Sequence, residues 1–99
     1  LPPTVICWGN DEMAVRVYEI LRTRGVRVPE QVSVAGYDNH SAIAETLFPP
    51  LTSTELPYMR MGALAAEILF DIIETKETAR PPVRVVGETI WRQSVTALK

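Results

Sequence analysis

The 99-residue chain has one cysteine and one histidine, and those two scarcities exclude a good deal. A single thiol, Cys7, forms no internal disulfide, and a single imidazole, His40, makes no histidine-rich metal site. There is no P-loop, no GxGxxG, no HExxH and no GxSxG elbow. The carboxylates Asp11, Glu12, Asp38 and Glu45 show no acid–base pairing scheme. No run approaches the roughly 20 apolar residues of a membrane span, and the Leu1-Pro2-Pro3-Thr4 start has no signal-peptide pattern. Positive charge is not in excess either: ten basic side chains stand against twelve acidic ones, a net charge of −2. This segment therefore lacks the footprint of a nucleic-acid or anionic-membrane binder. No cofactor and no metal is implied.

What is present is the punctuation of an α/β fold. Thr4 to Trp8 is a short apolar run that reads as a buried strand, with Cys7 a buried thiol inside it. Gly9-Asn10-Asp11 ends the run, and Asn10 or Asp11 is placed to cap a helix. That helix is expected from Glu12 to Arg24, with Met13, Val17, Ile20 and Leu21 on its apolar stripe and Ala14 and Tyr18 beside it. Gly25 suits the left-handed stop. Val32 to Gly36 is a second strand, so residues 4–36 have the size of one βαβ unit, with parallel strands and a right-handed crossover. Such a sheet needs cover on both faces.

Residues 37–55 read as a long loop with a helical turn at Ser41 to Thr46. Phe48-Pro49-Pro50-Leu51-Thr52-Ser53-Thr54 is too proline-rich for helix and is expected to be extended, as an edge strand or a connector. Pro57 then opens a helix over Tyr58 to Thr75. Met61, Leu64, Ala65, Ile68, Leu69, Ile72 and Ile73 recur at helical spacing. Burying four of its large aliphatics would contribute about 6 to 12 kcal/mol before ordering entropy is subtracted. Val83 to Val86 and Thr89 to Trp91 read as further strands.

In open parallel sheets ligands bind beyond the carboxyl ends of the strands. Both strands of the βαβ unit end in polar turns, Gly9-Asn10-Asp11 and Gly36-Tyr37-Asp38-Asn39. Asn10 and Asp38 together offer the donors and acceptors that sugar hydroxyls or purine ring N–H groups require, and Trp8 and Tyr37 offer an apolar platform. The plainer reading stays open: Asn10 and Asp11 as helix caps only, Asp38 and Asn39 as turn formers only. His40 reads as a surface residue. The scattered arginines, Arg92 among them, read as solvated faces and caps.

The ordered motifs Asn10-Asp11, Met13-Ala14, Arg24-Gly25-Val26-Arg27-Val28-Pro29 and Val32-Ser33-Val34-Ala35-Gly36-Tyr37-Asp38-Asn39 resemble the lactose/galactose-repressor family. So do Pro49-Pro50-Leu51-Thr52-Ser53-Thr54, Met61-Gly62 and Arg92-Gln93-Ser94. The resemblance runs from Val5 to Ser94. It implies a periplasmic-binding-protein-like type I fold, a three-layer parallel-sheet architecture, and a cytoplasmic, non-enzymatic DNA-binding repressor. In that family a small sugar or nucleoside-like effector binds between two lobes, and a helix-turn-helix upstream binds operator DNA. By this resemblance Asn10 and Asp38 match effector-bonding positions, and Tyr58 matches a cleft-lining aromatic. The helix from Asp11 and the loop after Asp38 match a dimer interface, for which Val15, Tyr18 and Phe48 are candidates.

Three features depart from the pattern: Arg16 where a small residue is common, a loop between Tyr37 and Pro49 one residue longer, and Glu55-Leu56 near the cleft. The resemblance makes the chain the C-terminal part of an effector-binding and dimerisation domain. The helix at Tyr58 to Thr75 would then belong to a lobe whose sheet lies elsewhere. A homodimer or higher oligomer, with exchanged elements, or a compact rearranged core is expected. A periplasmic-type sugar-binding receptor of a transporter is the alternative, and a small flavodoxin-like enzyme is a third reading.

Overall fold

The computed structural model describes residues 2–98. Seven elements follow in order: β1 (Val5–Cys7), α1 (Asp11–Thr23), β2 (Ser33–Asp38), α2 (Ser41–Ala44), β3 (Thr52–Glu55), α3 (Tyr58–Thr75) and β4 (Thr89–Ile90). The strands form one sheet in the order β1-β2-β3-β4. β1 and β2 pair in parallel, with Cys7 opposite Ala35, and β2 and β3 pair in parallel, with Gly36 opposite Ser53. β4 joins β3 antiparallel. The fold is thus mixed α/β with a parallel-dominated sheet, and the expected βαβ unit is its first part.

The chain divides into two compact units, Leu1–Leu56 with Glu88–Lys99, and Pro57–Gly87. In the first, Ala14, Val17 and Tyr18 of α1 pack with Val34, Ala44 and Leu51. Asn10 caps α1 in extended conformation, its Oδ1 accepting the Met13 N–H at 2.8 Å. Gly25 takes the left-handed φ of 71° that ends the helix turn, where its lack of a Cβ removes the steric cost.

Several expectations are corrected here. Cys7 is exposed, not buried. β1 is an edge strand, and its alternation sends Ile6 toward the core while Val5 and Cys7 point to the other side. The buried face of α1 is Asp11, Ala14, Val17 and Tyr18, rotated from the expected stripe, and Met13 and Ile20 stay exposed. The rotation follows from what α1 meets: small Ala14 is fully buried in the core, and the Asp11 carboxyl group has bonding partners on the sheet side. β3 is an interior strand between β2 and β4 rather than an edge. Strand β2 runs on to Asp38, beyond the expected end at Gly36. Val83 to Val86 forms no strand; only Thr89–Ile90 pairs.

The second unit consists of α3 and the segment after it. The helix has the expected limits, with Pro57 at its N-cap and Lys76 in left-handed conformation at its end. No residue of α3 is buried, so the 6 to 12 kcal/mol expected of its stripe is not realised within this chain. Met61, Leu64 and Ile68 line a shallow cavity of about 190 Å³ with Val83 and Val85. Among the described residues, no helix is long and apolar enough to cross a membrane.

Candidate functional site

The parallel pairing of β1 with β2 brings their carboxyl ends to the same side of the sheet. The Trp8 N–H donates to the Ala35 carbonyl at 2.9 Å, which extends the pairing to the residue before the Gly9-Asn10 turn. Asn10 therefore follows β1, and Asp38 ends the neighbouring β2, at the same carboxyl edge. Asn10 does act as a helix cap, and its cap bond occupies only Oδ1, leaving the amide N–H₂ group outside that bond. Asp38 closes β2 with φ of 115°, and Asn39 follows with φ of 53°. Both lie where side-chain-bearing residues are uncommon, and such conformations persist where surroundings hold them.

The holding groups are clear. The Asp11 carboxyl group, only 1% exposed, accepts the His40 backbone N–H through Oδ2 at 2.7 Å and the Ser53 hydroxyl through Oδ1 at 2.7 Å. Ser53 Oγ in turn accepts the Asn39 N–H at 3.0 Å. Arg92 closes the loop from the other end of the sequence: Nη2 donates to Asn39 Oδ1 at 2.7 Å and Nη1 donates to the Leu51 carbonyl at 2.6 Å. Its backbone N–H donates to Thr52 Oγ1 at 2.8 Å. Gly36 is required beneath this cluster. A Cβ there would collide with Asp11 Oδ1 and lie 2.9 Å from Leu51 Cδ2.

Two residues on, fully buried Ser94 joins β2 to β3. Its hydroxyl donates to the Val34 carbonyl at 2.5 Å and accepts the Thr52 N–H at 2.8 Å, while its own carbonyl accepts the Val34 N–H at 2.9 Å. The Arg92-Gln93-Ser94 pattern thus has a physical reading. At the turn formed by Gln93 and Ser94, Arg92 is half-buried and Ser94 fully buried, while Gln93 is exposed.

The other sequence-predicted residues are distributed as follows. Trp8 and Tyr37 are partly exposed near the strand ends. Tyr58 is on the first turn of α3, in the second unit, and exposed. Val15 is half-buried and Phe48 is 83% exposed. Tyr18 is a core residue. Its hydroxyl donates to the Pro49 carbonyl at 2.7 Å, and burial pushes its phenol up to about 12, against a smaller opposing effect of Ser94. Its direct work is inside the chain, where it fixes the Phe48-Pro49 corner. Tyr18, Phe48 and Pro49 line a groove of about 290 Å³ with Leu21, Val26 and Val28. His40 offers its backbone, not its ring, to the cluster.

Sequence reasoning missed Asp11, Ser53, Arg92 and Ser94 as a connected set. Their bonds join residues 14 to 60 positions apart, and no local periodicity announces such pairs. Arg92 was expected on a solvated face; it is half-buried and spans Leu51 and Asn39. Among the described residues no cluster of His, Cys, Asp or Glu is arranged to hold a metal ion.

Comparison with known proteins shows the family. The family described as periplasmic binding protein-like domain matches residues 1–95. The chain is 40% identical over 96 residues to the transcriptional repressor PurR of Vibrio cholerae, covering 97% of this chain and 28% of that protein. In structure it is similar to the transcriptional regulator CelR in complex with cellobiose, at 36% identity and a TM-score of 0.78, over 92% of this chain and 28% of that one. It is also similar to a LacI-family transcriptional regulator from Enterococcus faecium with bound ribose, at 32% identity and a TM-score of 0.80, over 97% of this chain and 35% of that one. All three are regulators, which favours that reading over a transport receptor. The chain spans 28% of the length of the curated relatives it matches. It belongs to the periplasmic binding protein-like domain family, with transcriptional regulators of the lactose/galactose-repressor type as its relatives.

Proposed function

We propose that this chain is the C-terminal, effector-sensing and dimerising part of a cytoplasmic DNA-binding repressor that responds to a small uncharged sugar or nucleoside-like ligand. Its work is binding rather than catalysis. The observation that carries the reading is the parallel pairing of β1 with β2, which sets Asn10 and Asp38 at neighbouring strand ends. An amide and a carboxyl group side by side supply the mixed donors and acceptors that a polyhydroxylated or ring-N–H ligand needs. Trp8 and Tyr37 stand near them as apolar surface. Cellobiose and ribose, bound by the two structural relatives, belong to the ligand chemistry proposed here.

DNA binding falls to a helix-turn-helix upstream, since this segment carries no basic excess. A homodimer or higher oligomer, with Val15 and the exposed Phe48 corner held by Tyr18 at its interface, completes the proposal. Calorimetry on the full-length regulator tests the site. Asp38→Ala is expected to weaken binding of the responsive sugar or nucleobase by about 1–3 kcal/mol, through loss of hydrogen bonds to a buried polar ligand. An unchanged dissociation constant removes Asp38 from the site. Sedimentation of the same protein as a monomer only, at micromolar concentration, removes the dimer.

A further inference from the structure

We infer that Asp11 is a positioning residue, which holds the Asp38-Asn39 turn in its ligand-ready shape before any ligand arrives. The inference rests on the proposed function for the word ligand, and on geometry for the rest. The turn has positive φ at two consecutive side-chain-bearing residues, Asp38 and Asn39. The two N–H groups that follow these φ values are both met from within the chain. The His40 N–H goes to Asp11 Oδ2, and the Asn39 N–H goes to Ser53 Oγ, which donates onward to Asp11 Oδ1.

One carboxyl group therefore accounts for two consecutive amides of the turn, one directly and one through Ser53. Arg92 secures the Asn39 side chain independently. Gly36 leaves the space in which the carboxyl group sits. Asp11 immediately follows Asn10, so the same helix start carries one proposed ligand group and fixes the turn that carries the other. An effector that finds both groups already placed does not have to order a loop on binding. Helix capping explains none of this, because the α1 cap bond is made by Asn10 and not by Asp11.

Amide hydrogen exchange on the full-length protein tests the inference without any ligand. In Asp11→Asn, the Asn39 and His40 amides are expected to lose protection by about tenfold or more. The Trp8 and Val34 amides, which donate to Ala35 and Ser94, are expected to keep theirs. Unchanged protection at Asn39 and His40 overturns the inference. So does an even loss across all four amides, which would mark Asp11 as a general structural residue. Should Asp11→Asn fail to fold, Ser53→Ala decides: protection falls at Asn39 and persists at His40, and equal behaviour of the two amides overturns the inference.

Calorimetry on the full-length protein with ribose and with cellobiose separates this claim from the functional one. If the wild type binds neither sugar, the sugar reading fails while exchange still decides the positioning role. If it binds one, Asp11→Asn is expected to weaken that sugar about tenfold. Undiminished affinity with the turn's protection lost overturns the positioning role alone.

Discussion

The two units of this chain put the same kind of sequence to opposite use. α1 and α3 both carry apolar residues at helical spacing, and α3 carries the longer series. Yet α1 buries Asp11, Ala14, Val17 and Tyr18, whereas α3 buries nothing. In the first unit, strands β2 and β3 and the segment around Ser94 come from distant stretches of sequence and are bonded across. In the second, an ion pair joins Arg80 and half-exposed Asp71 at 2.8 Å, the kind of contact that contributes little. Periodicity tells a helix which face to offer. What that face meets is decided by chain remote in sequence.

The cross-links of the first unit are the sharpest place to break the contrast. Ser94→Ala removes a donor from the Val34 carbonyl and an acceptor from the Thr52 N–H at a fully buried position. Two buried backbone groups are left short of a partner, and the expected loss is about 2–4 kcal/mol. Both tryptophans, Trp8 and Trp91, belong to the first unit, so urea unfolding followed by fluorescence reads that loss directly. A change below about 1 kcal/mol would mean that the links are not what distinguishes the two units.

Tyr18→Phe tests the same core with a smaller effect. Losing the bond to the Pro49 carbonyl is expected to cost about 1 kcal/mol near neutral pH. The phenol adds a pH signature. Burial raises it from 10.0 to about 12 in the folded chain, so the folded state keeps a proton that the unfolded state has released. The contribution is intact below pH 10 and is lost as pH rises from 10 toward 12. Urea midpoints of wild type and Tyr18→Phe should therefore converge across that window. A gap of constant size would show that the phenol titrates as it does in solvent.

These elements also show which parts of the fold were legible in the residues. The Asn10 cap, the Gly25 stop, the α2 turn and the limits of α3 rest on local chemistry within a few positions, and each is where it was expected. The parallel β1–β2 pair followed from the size of the βαβ unit. The burial of α1 could not be read so well, because the helix is rotated toward Asp11, whose partners lie 29 and 42 positions away. Cys7 looked buried because its neighbours are apolar, and only the sheet order reveals β1 as an edge. At the candidate site, the residues at the strand ends were legible; the supporting Asp11, Ser53 and Arg92 were not. Val83 to Val86 has strand composition and no strand to pair with.

The second unit supplies the smallest effect, and for that reason the clearest test of the contrast. Leu69 and Ile73 are 58% and 61% exposed on α3, so replacing both with lysine deletes little packing inside the chain. The fluorescence-detected stability of Leu69→Lys with Ile73→Lys should stay within about 0.5 kcal/mol of wild type, as surface substitutions do. Far-UV circular dichroism should tell the other half. An 18-residue helix with nothing buried has little beyond its own propensity to hold it, so its signal should fade at lower urea than the tryptophan transition, in wild type and variant alike. If the lysines instead weaken the first unit as much as Tyr18→Phe does, then the stability of the first unit depends on α3. The division between a cross-linked unit and a helix with no buried residue would then be wrong at its root.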